Sequence, residues 1–213
     1  VGENLESNGK VIKKPGIVHR LDKETSGVLL LVKSEKAYTY YKDLFKNRKI
    51  KKTYVAIVEG LFKNNSGVIK EPIGRSPRDF RRKLAGRGAR GEMREAITEY
   101  KVLSSCEIFS LCARPRSKDG VGTLADKKFH KTPVKVSLVE INPKTGRTHQ
   151  IRVHMKYVNH PIVCDNLYNP KGVCPANLGR LALHAKSLEF ENQKGVKIKV
   201  ESKIPEEFEK LQK

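Results

Sequence analysis

Residues 51–60, KKTYVAIVEG, constrain the fold more than any other stretch of this chain. They alternate as a strand does, with Tyr54, Ala56 and Val58 on one face and Thr53, Val55 and Ile57 on the other. Other segments share this character. Val28–Val32 is a short apolar run introduced by Gly27 and reads as a buried strand. Residues 68–73, 95–103, 134–141, 181–190 and 196–202 read as further strands, the first entered through the turn Asn64-Asn65-Ser66-Gly67. Helical spacing is confined to few places. Residues 35–48 carry Tyr38, Tyr41, Leu44 and Phe45 behind an N-capping Ser34. From about 147 to 158, Ile151, Met155 and Val158 recur with helical spacing, and the tail PEEFEKLQK reads as a short helix. Many strands, few helices, no internal repeat and no clean linker predict an α+β fold in one domain spanning 1–213.

Two stretches break the pattern. Residues 75–94, RSPRDFRRKLAGRGARGEMR, hold eight basic and two acidic residues with three glycines and a proline, which reads as a loop. It is either a solvated surface loop or an arm whose arginines fork onto phosphates and stack on bases. Residues 104–132 lack periodicity and read as an insertion, because loops of that length are uncommon inside a domain.

Charge narrows the partners. Forty-four Lys and Arg against 23 Asp and Glu leave the 213-residue chain at +21. Such an excess favours a polyanion, since neutralising phosphates releases condensed counterions. No apolar run approaches the roughly 18 residues of a membrane span, so a nucleic acid is expected rather than a membrane. Cys106, Cys112, Cys164 and Cys174 have no CxxC spacing, and His149 and His154 miss the i, i+4 spacing of a helical metal pair. No metal site is expected, and the thiols read as free and reduced in an intracellular protein. No secretory signal is visible; the cytoplasm is the simplest compartment, with an organelle or the nucleus open.

Four residues invite chemistry. Arg20 and Asp22 stand at the mouth of the Val28–Val32 run, in GIVHRLDKETSG, either as a capped turn or as a working site. Tyr54 is either a core tyrosine with its hydroxyl paired at an edge or part of that site. In NPKTGRTHQIRVHM, Arg147 lies four residues before Ile151 and should share its buried side. A cation there opposes the helix dipole and is costly to bury unpaired, which predicts a carboxylate aimed at it. Asp22 is the candidate; a partly exposed arginine packing its stem is the alternative.

These stretches resemble, in order, the motifs of the RluA-like family of RNA pseudouridine synthases. HRLDKETSG resembles the first and KKTYVAIVEG the second; INPKTGRTHQIRVHM with HPIVCDNLY resembles the third, and LALHAKSLEF the stretch that follows. The set covers most of residues 11–205. The family's first strands, which normally precede HRLD, are absent from this chain. The resemblance implies a long mixed, mostly antiparallel sheet with flanking helices and a central cleft. It implies a monomer that isomerises uridine in rRNA or tRNA to pseudouridine by flipping the base out, with no cofactor. Asp22 would be the catalytic aspartate, Arg147 its salt-bridge partner, and Tyr54 the ring against the target base. Arg20 would probe the RNA and Leu183 pack on the uracil. Arg75, Arg78, Arg81, Arg82 and Lys83 fall where the family has an RNA-facing loop. An RNA-binding module without turnover is the alternative. A glycoside hydrolase would want paired carboxylates, and Asp165, the other motif-borne acid, reads as structural.

Overall fold

The computed structural model describes residues 5–7, 10–12, 16–112, 130–175 and 178–210. A mixed sheet dominates. Its middle is β4 (Lys51–Glu59), flanked by β10 (His130–Pro143) and β11 (Leu183–Glu191). β9 (Thr98–Cys112) and β5 (Ser66–Ile69) extend it one way, and β12 (Lys197–Glu201) the other. These pairings are antiparallel; the two-residue β3 (Ser26–Gly27) joins β11 in parallel. In β4 the alternation seen in the sequence puts apolar side chains on both faces, and Val55, Ala56, Ile57 and Val58 are all but inaccessible. Both faces are therefore covered, and β4 is the strand about which the core is built. A short hairpin, β1 (Leu5–Ser7) with β2 (Lys10–Ile12), precedes it.

Helix α1 (Glu35–Lys46) begins where expected: Ser34 Oγ accepts the Ala37 N–H at 3.3 Å. Leu44 of α1 packs with Ile50, Leu188 and Phe190. The run Val28–Val32 is not a buried strand. The sheet is joined only by Ser26–Gly27 and by the Val28 N–H, which donates to the Ala185 carbonyl at 2.9 Å, while Leu29 and Leu31 are 46% and 60% exposed. Val28 and Leu30 turn inward toward the α1 cluster. The close approach is made at Gly27, where a Cβ would overlap the Ala185 carbonyl.

Residues 104–132 differ from the reading as an irregular insertion. Residues 104–112 continue β9 and pair with β10 as far as Cys112 opposite His130, with one irregularity at Leu138/Val139. Residues 113–129 lie outside the described residues. Residues 75–94 are likewise not a plain loop. β6 (Ile73–Arg75) pairs with β7 (Lys83–Ala85) and β8 (Arg90–Arg94) in a small antiparallel sheet. Ile73, Ala85 and Ala96 seat this sheet on Val153 and Tyr168.

Helix α2 (Gln150–Tyr157) starts later than its periodicity suggests. His149 precedes it in the left-handed region at φ 56°, so Arg147 and Thr148 belong to the turn leaving β10. The last helix is α3 (Glu206–Lys210), whose Phe208 is buried in the core. The expectation of reduced thiols is corrected at two positions. Cys164 and Cys174 form a disulfide, because the loop between them brings their Cα atoms to 4.5 Å, a proximity their ten-residue separation does not reveal.

Candidate active site

A cavity of about 280 Å³ opens between residues 19–25, the start of β4, the turn from β10 to α2, and Leu183 of β11. Four elements distant in sequence meet there because β4 is central: Ala185 of β11 and Ile141 of β10 flank Tyr54 on either side.

Asp22 faces this cavity. Its own carbonyl accepts the Thr25 N–H at 3.0 Å, so the turn foreseen at this position exists. Its carboxylate does something further. It is 19% exposed, and Oδ2 stands 3.7 Å from Nη1 of Arg152 on α2. Arg152 is 6% exposed and is held on its other edge by Asp165, Nε donating to Oδ2 at 2.8 Å and Nη2 to Oδ1 at 2.7 Å. Asp165 also accepts the N–H groups of Leu167 and Tyr168. The Tyr168 ring lies 5.0 Å from the Arg152 guanidinium. The cation therefore has one edge fully used by a buried carboxylate and one nitrogen left for Asp22. Burial works against the charge of Arg152, yet the bond to Asp165 and the two carboxylates raise its pKa all the same.

Arg147 does not fill this role. The structure holds no Arg147–Asp22 ion pair within 4.0 Å; the Arg147 side chain lines the cavity and donates from Nε to the Glu95 carbonyl at 2.9 Å. Its turn is fixed by Gln150, which is 4% exposed. Gln150 Oε1 accepts from Thr145 Oγ1 and the Arg147 N–H, and its Nε2 donates to the Ile97 carbonyl and Thr98 Oγ1.

Tyr54 borders the cavity, and its phenol is pushed up to about 12, by burial first and then by the charge of Asp22. It stays a neutral ring close enough to Asp22 to feel its field. Leu183, 3% exposed, lines the same cavity. Arg20 is exposed at its edge. Arg75, Arg78, Arg81, Arg82 and Lys83 lie outside the cavity, on β6, β7 and the turn between them. One bond joins that region to the site: the Lys83 N–H donates to Tyr168 Oη at 2.9 Å, and the same hydroxyl is 2.9 Å from His149 Nδ1.

Two further cavity residues escaped the sequence reading. Lys52 donates from Nζ to the Thr145 carbonyl at 2.9 Å, and its pKa falls to about 8 through burial and then the charge of Arg48. Its signal was its place two residues before Tyr54, on the same face of β4. His19 accepts the Leu30 N–H at Nε2 and stacks on Phe45 at 4.5 Å; burial, then Lys52, lowers its pKa to about 4. It ties the Asp22 turn to the residues beside α1. Asp165, read as structural, is the second carboxylate on Arg152. Among the described residues no three His, Cys, Asp or Glu side chains group as metal ligands, and no helix is long and apolar enough to cross a membrane.

Comparison with known proteins identifies a family for the chain. Residues 3–157 match a family model described as RNA pseudouridylate synthase. The uncharacterized RNA pseudouridine synthase YlyB of Bacillus subtilis is 33% identical over 201 residues, which are 94% of this chain and 55% of that protein. Ribosomal large subunit pseudouridine synthase D of Borreliella burgdorferi is 36% identical over 197 residues, 92% of this chain and 50% of that protein. The chain thus spans about half the length of these curated relatives. Among solved structures, human RNA pseudouridylate synthase domain containing 1 superposes with a TM-score of 0.65 at 26% identity, over 87% of this chain and 67% of that one.

Proposed function

Because the chain belongs to the RNA pseudouridylate synthase family, we propose that it converts uridine in RNA to pseudouridine, with Asp22 as the catalytic carboxylate. The observation that carries this reading is the ion pair of Asp22 with Arg152 at the wall of a cavity shared with Tyr54. Arg152 takes the part that the sequence suggested for Arg147. Its second carboxylate, Asp165, fixes the guanidinium so that its free nitrogen orients Asp22.

The reaction breaks the N1–C1′ bond, turns the base, and joins C5 to C1′; C5 then gives up its proton and N1 takes one, so substrate and product are isomers. An ionised carboxylate either attacks the sugar or takes its 2′ proton. To reach it, the uridine must leave its stack, at a cost of a few kcal/mol that is least in loops and bulges. The ring of Tyr54 and the apolar wall of Leu183 receive the base, recovering about 1–3 kcal/mol of stacking. Arg20, exposed at the edge, occupies the gap left in the RNA. The basic residues of β6 and β7 hold the surrounding backbone. Ribosomal RNA is the first substrate to test, on the names of two bacterial relatives; tRNA is the second.

The test is pseudouridine formation in those RNAs by the wild type and by Asp22→Asn. The variant keeps the side chain's shape and loses its charge, so product should vanish while RNA binding persists. Parent-rate turnover by Asp22→Asn would overturn the assignment. Wild-type protein, at full length as well, that binds RNA and yields no product would indicate a binding module.

A further inference from the structure

We propose that Phe80 is a stacking platform for an unpaired base of the RNA, outside the cavity and flanking the nucleotide that enters it. The inference rests on the RNA reading above and adds a contact to it. Phe80 is 91% exposed; the next most exposed large hydrophobic among the described residues is Leu31, at 60%. Its ring belongs to none of the apolar clusters and pairs with no other ring among the described residues. The turn itself does not require it, since a polar residue serves that position as well.

The backbone presents Phe80 firmly. It occupies the turn between β6 and β7, closed by the Arg82 N–H donating to the Asp79 carbonyl at 3.0 Å. On one side Ser76 Oγ accepts the N–H groups of Arg78 and Asp79. On the other, the Asp79 carboxylate accepts the Arg81 N–H and both Nε and Nη2 of the Arg81 guanidinium, at 3.0, 3.0 and 2.9 Å. The ring is thus held out in water by a clasp at its feet. That costs hydrophobic free energy, and no packing among the described residues offsets it.

Charge states what the ring meets. Residues 75–83 hold Arg75, Arg78, Arg81, Arg82 and Lys83 against Asp79, a net of five minus one, or +4. A lone ring among cations complements a base flanked by phosphates. A protein partner would need a broader apolar patch. The turn is also tied to the site, through the Lys83 N–H on Tyr168 and the Tyr168 ring on Arg152. A base stacked on Phe80 therefore sits at a fixed offset from Asp22.

The chain contains no tryptophan, so Phe80→Trp introduces a single reporter. It is titrated with a single-stranded oligoribonucleotide, while anisotropy of a fluorescein-labelled copy follows binding independently. Emission should be quenched with the same midpoint as binding, and a tryptophan placed instead at Val196, 55% exposed beside β12, should not respond. Phe80→Ala should weaken single-strand binding roughly 5- to 150-fold. Phe80→Tyr should bind like the wild type. Bound RNA without quenching, or unchanged affinity in Phe80→Ala, overturns the inference and leaves the isomerase reading intact. Quenching by anionic phosphatidylserine vesicles and not by RNA also overturns it. Failure of the isomerase reading shows separately, as no product from wild-type protein while Phe80→Trp is still quenched by RNA.

Discussion

Arg152 sits between two aspartates, and the consequences of removing it differ from those of removing Arg147. Arg152 and Asp165 are both buried, so Arg152→Ala leaves one carboxylate almost wholly buried without its cation. Such a loss costs about 3–5 kcal/mol, and urea unfolding should show it. Arg147→Ala removes a bond to one backbone carbonyl and should cost under about 1.5 kcal/mol. Titration separates other residues. Lys52 falls from the ordinary 10.5 to about 8, so below pH 8 both folded and unfolded chains carry the proton and the folded chain bears the penalty. Between pH 8 and 10.5 the unfolded chain holds more protons, and this residue's contribution to stability rises with pH. Lys52→Met should therefore raise the melting temperature at pH 7, with the gain shrinking toward pH 10. A gain that grows with pH would contradict the burial of this amine. Tyr54 and Tyr168 act oppositely. Both are raised to about 12, so the stability they lend is complete below pH 10 and lost between pH 10 and 12.

At the scale of elements, the turn from β10 into α2 decides what the site contains. Gln150 makes four hydrogen bonds across it while almost fully buried. Gln150→Leu leaves several partners unpaired, each at about 1–3 kcal/mol, and should destabilise the chain by at least about 2 kcal/mol in denaturant titration. The same turn shows why the arginines were confused. A helix starting at 147 would have carried Arg147 to the buried side. The left-handed His149 delays the start, and six consecutive residues, Gln150 to Met155, are buried. A helix buried all round has no polar face, so periodicity cannot say which cation points inward. β4 was legible because a short β-branched apolar run ending at Gly60 reads as a strand even when both of its faces are buried. The run 28–32 looked like a strand by composition, but its place beside the sheet depends on Gly27 passing β11. Residues 104–112 looked irregular because the strand that pairs with them, residues 130–138 of β10, lies well along the chain. The Cys164–Cys174 loop carries Asp165 and Tyr168, the two residues that clasp Arg152. Cys174→Ser should cost about 2–4 kcal/mol, and alkylation before and after reduction should differ by two thiols.

At the scale of the whole molecule, charge and cavity divide the labour. On the proposed reading the +21 chain binds RNA through phosphates, so affinity should fall linearly on a log–log plot against salt. Replacing Arg75 and Arg78 by Ala should lower the slope by about 2 and weaken binding evenly across sequences. An unchanged slope would take the small sheet out of the interface. The ordered motifs made the family legible from sequence, and with it Asp22 and Tyr54 as candidates. The partner of Asp22 was not legible, since it depends on where one helix begins. The most direct test is the single-turnover rate of pseudouridine formation at saturating RNA, compared among wild type, Asp22→Asn, Arg152→Lys and Arg147→Lys. Arg152→Lys loses the bidentate grip of Asp165 and should fall at least about a hundredfold, toward Asp22→Asn, while Arg147→Lys stays within about tenfold of wild type. The reverse order, with Arg147→Lys inactive and Arg152→Lys near the parent rate, would contradict the account.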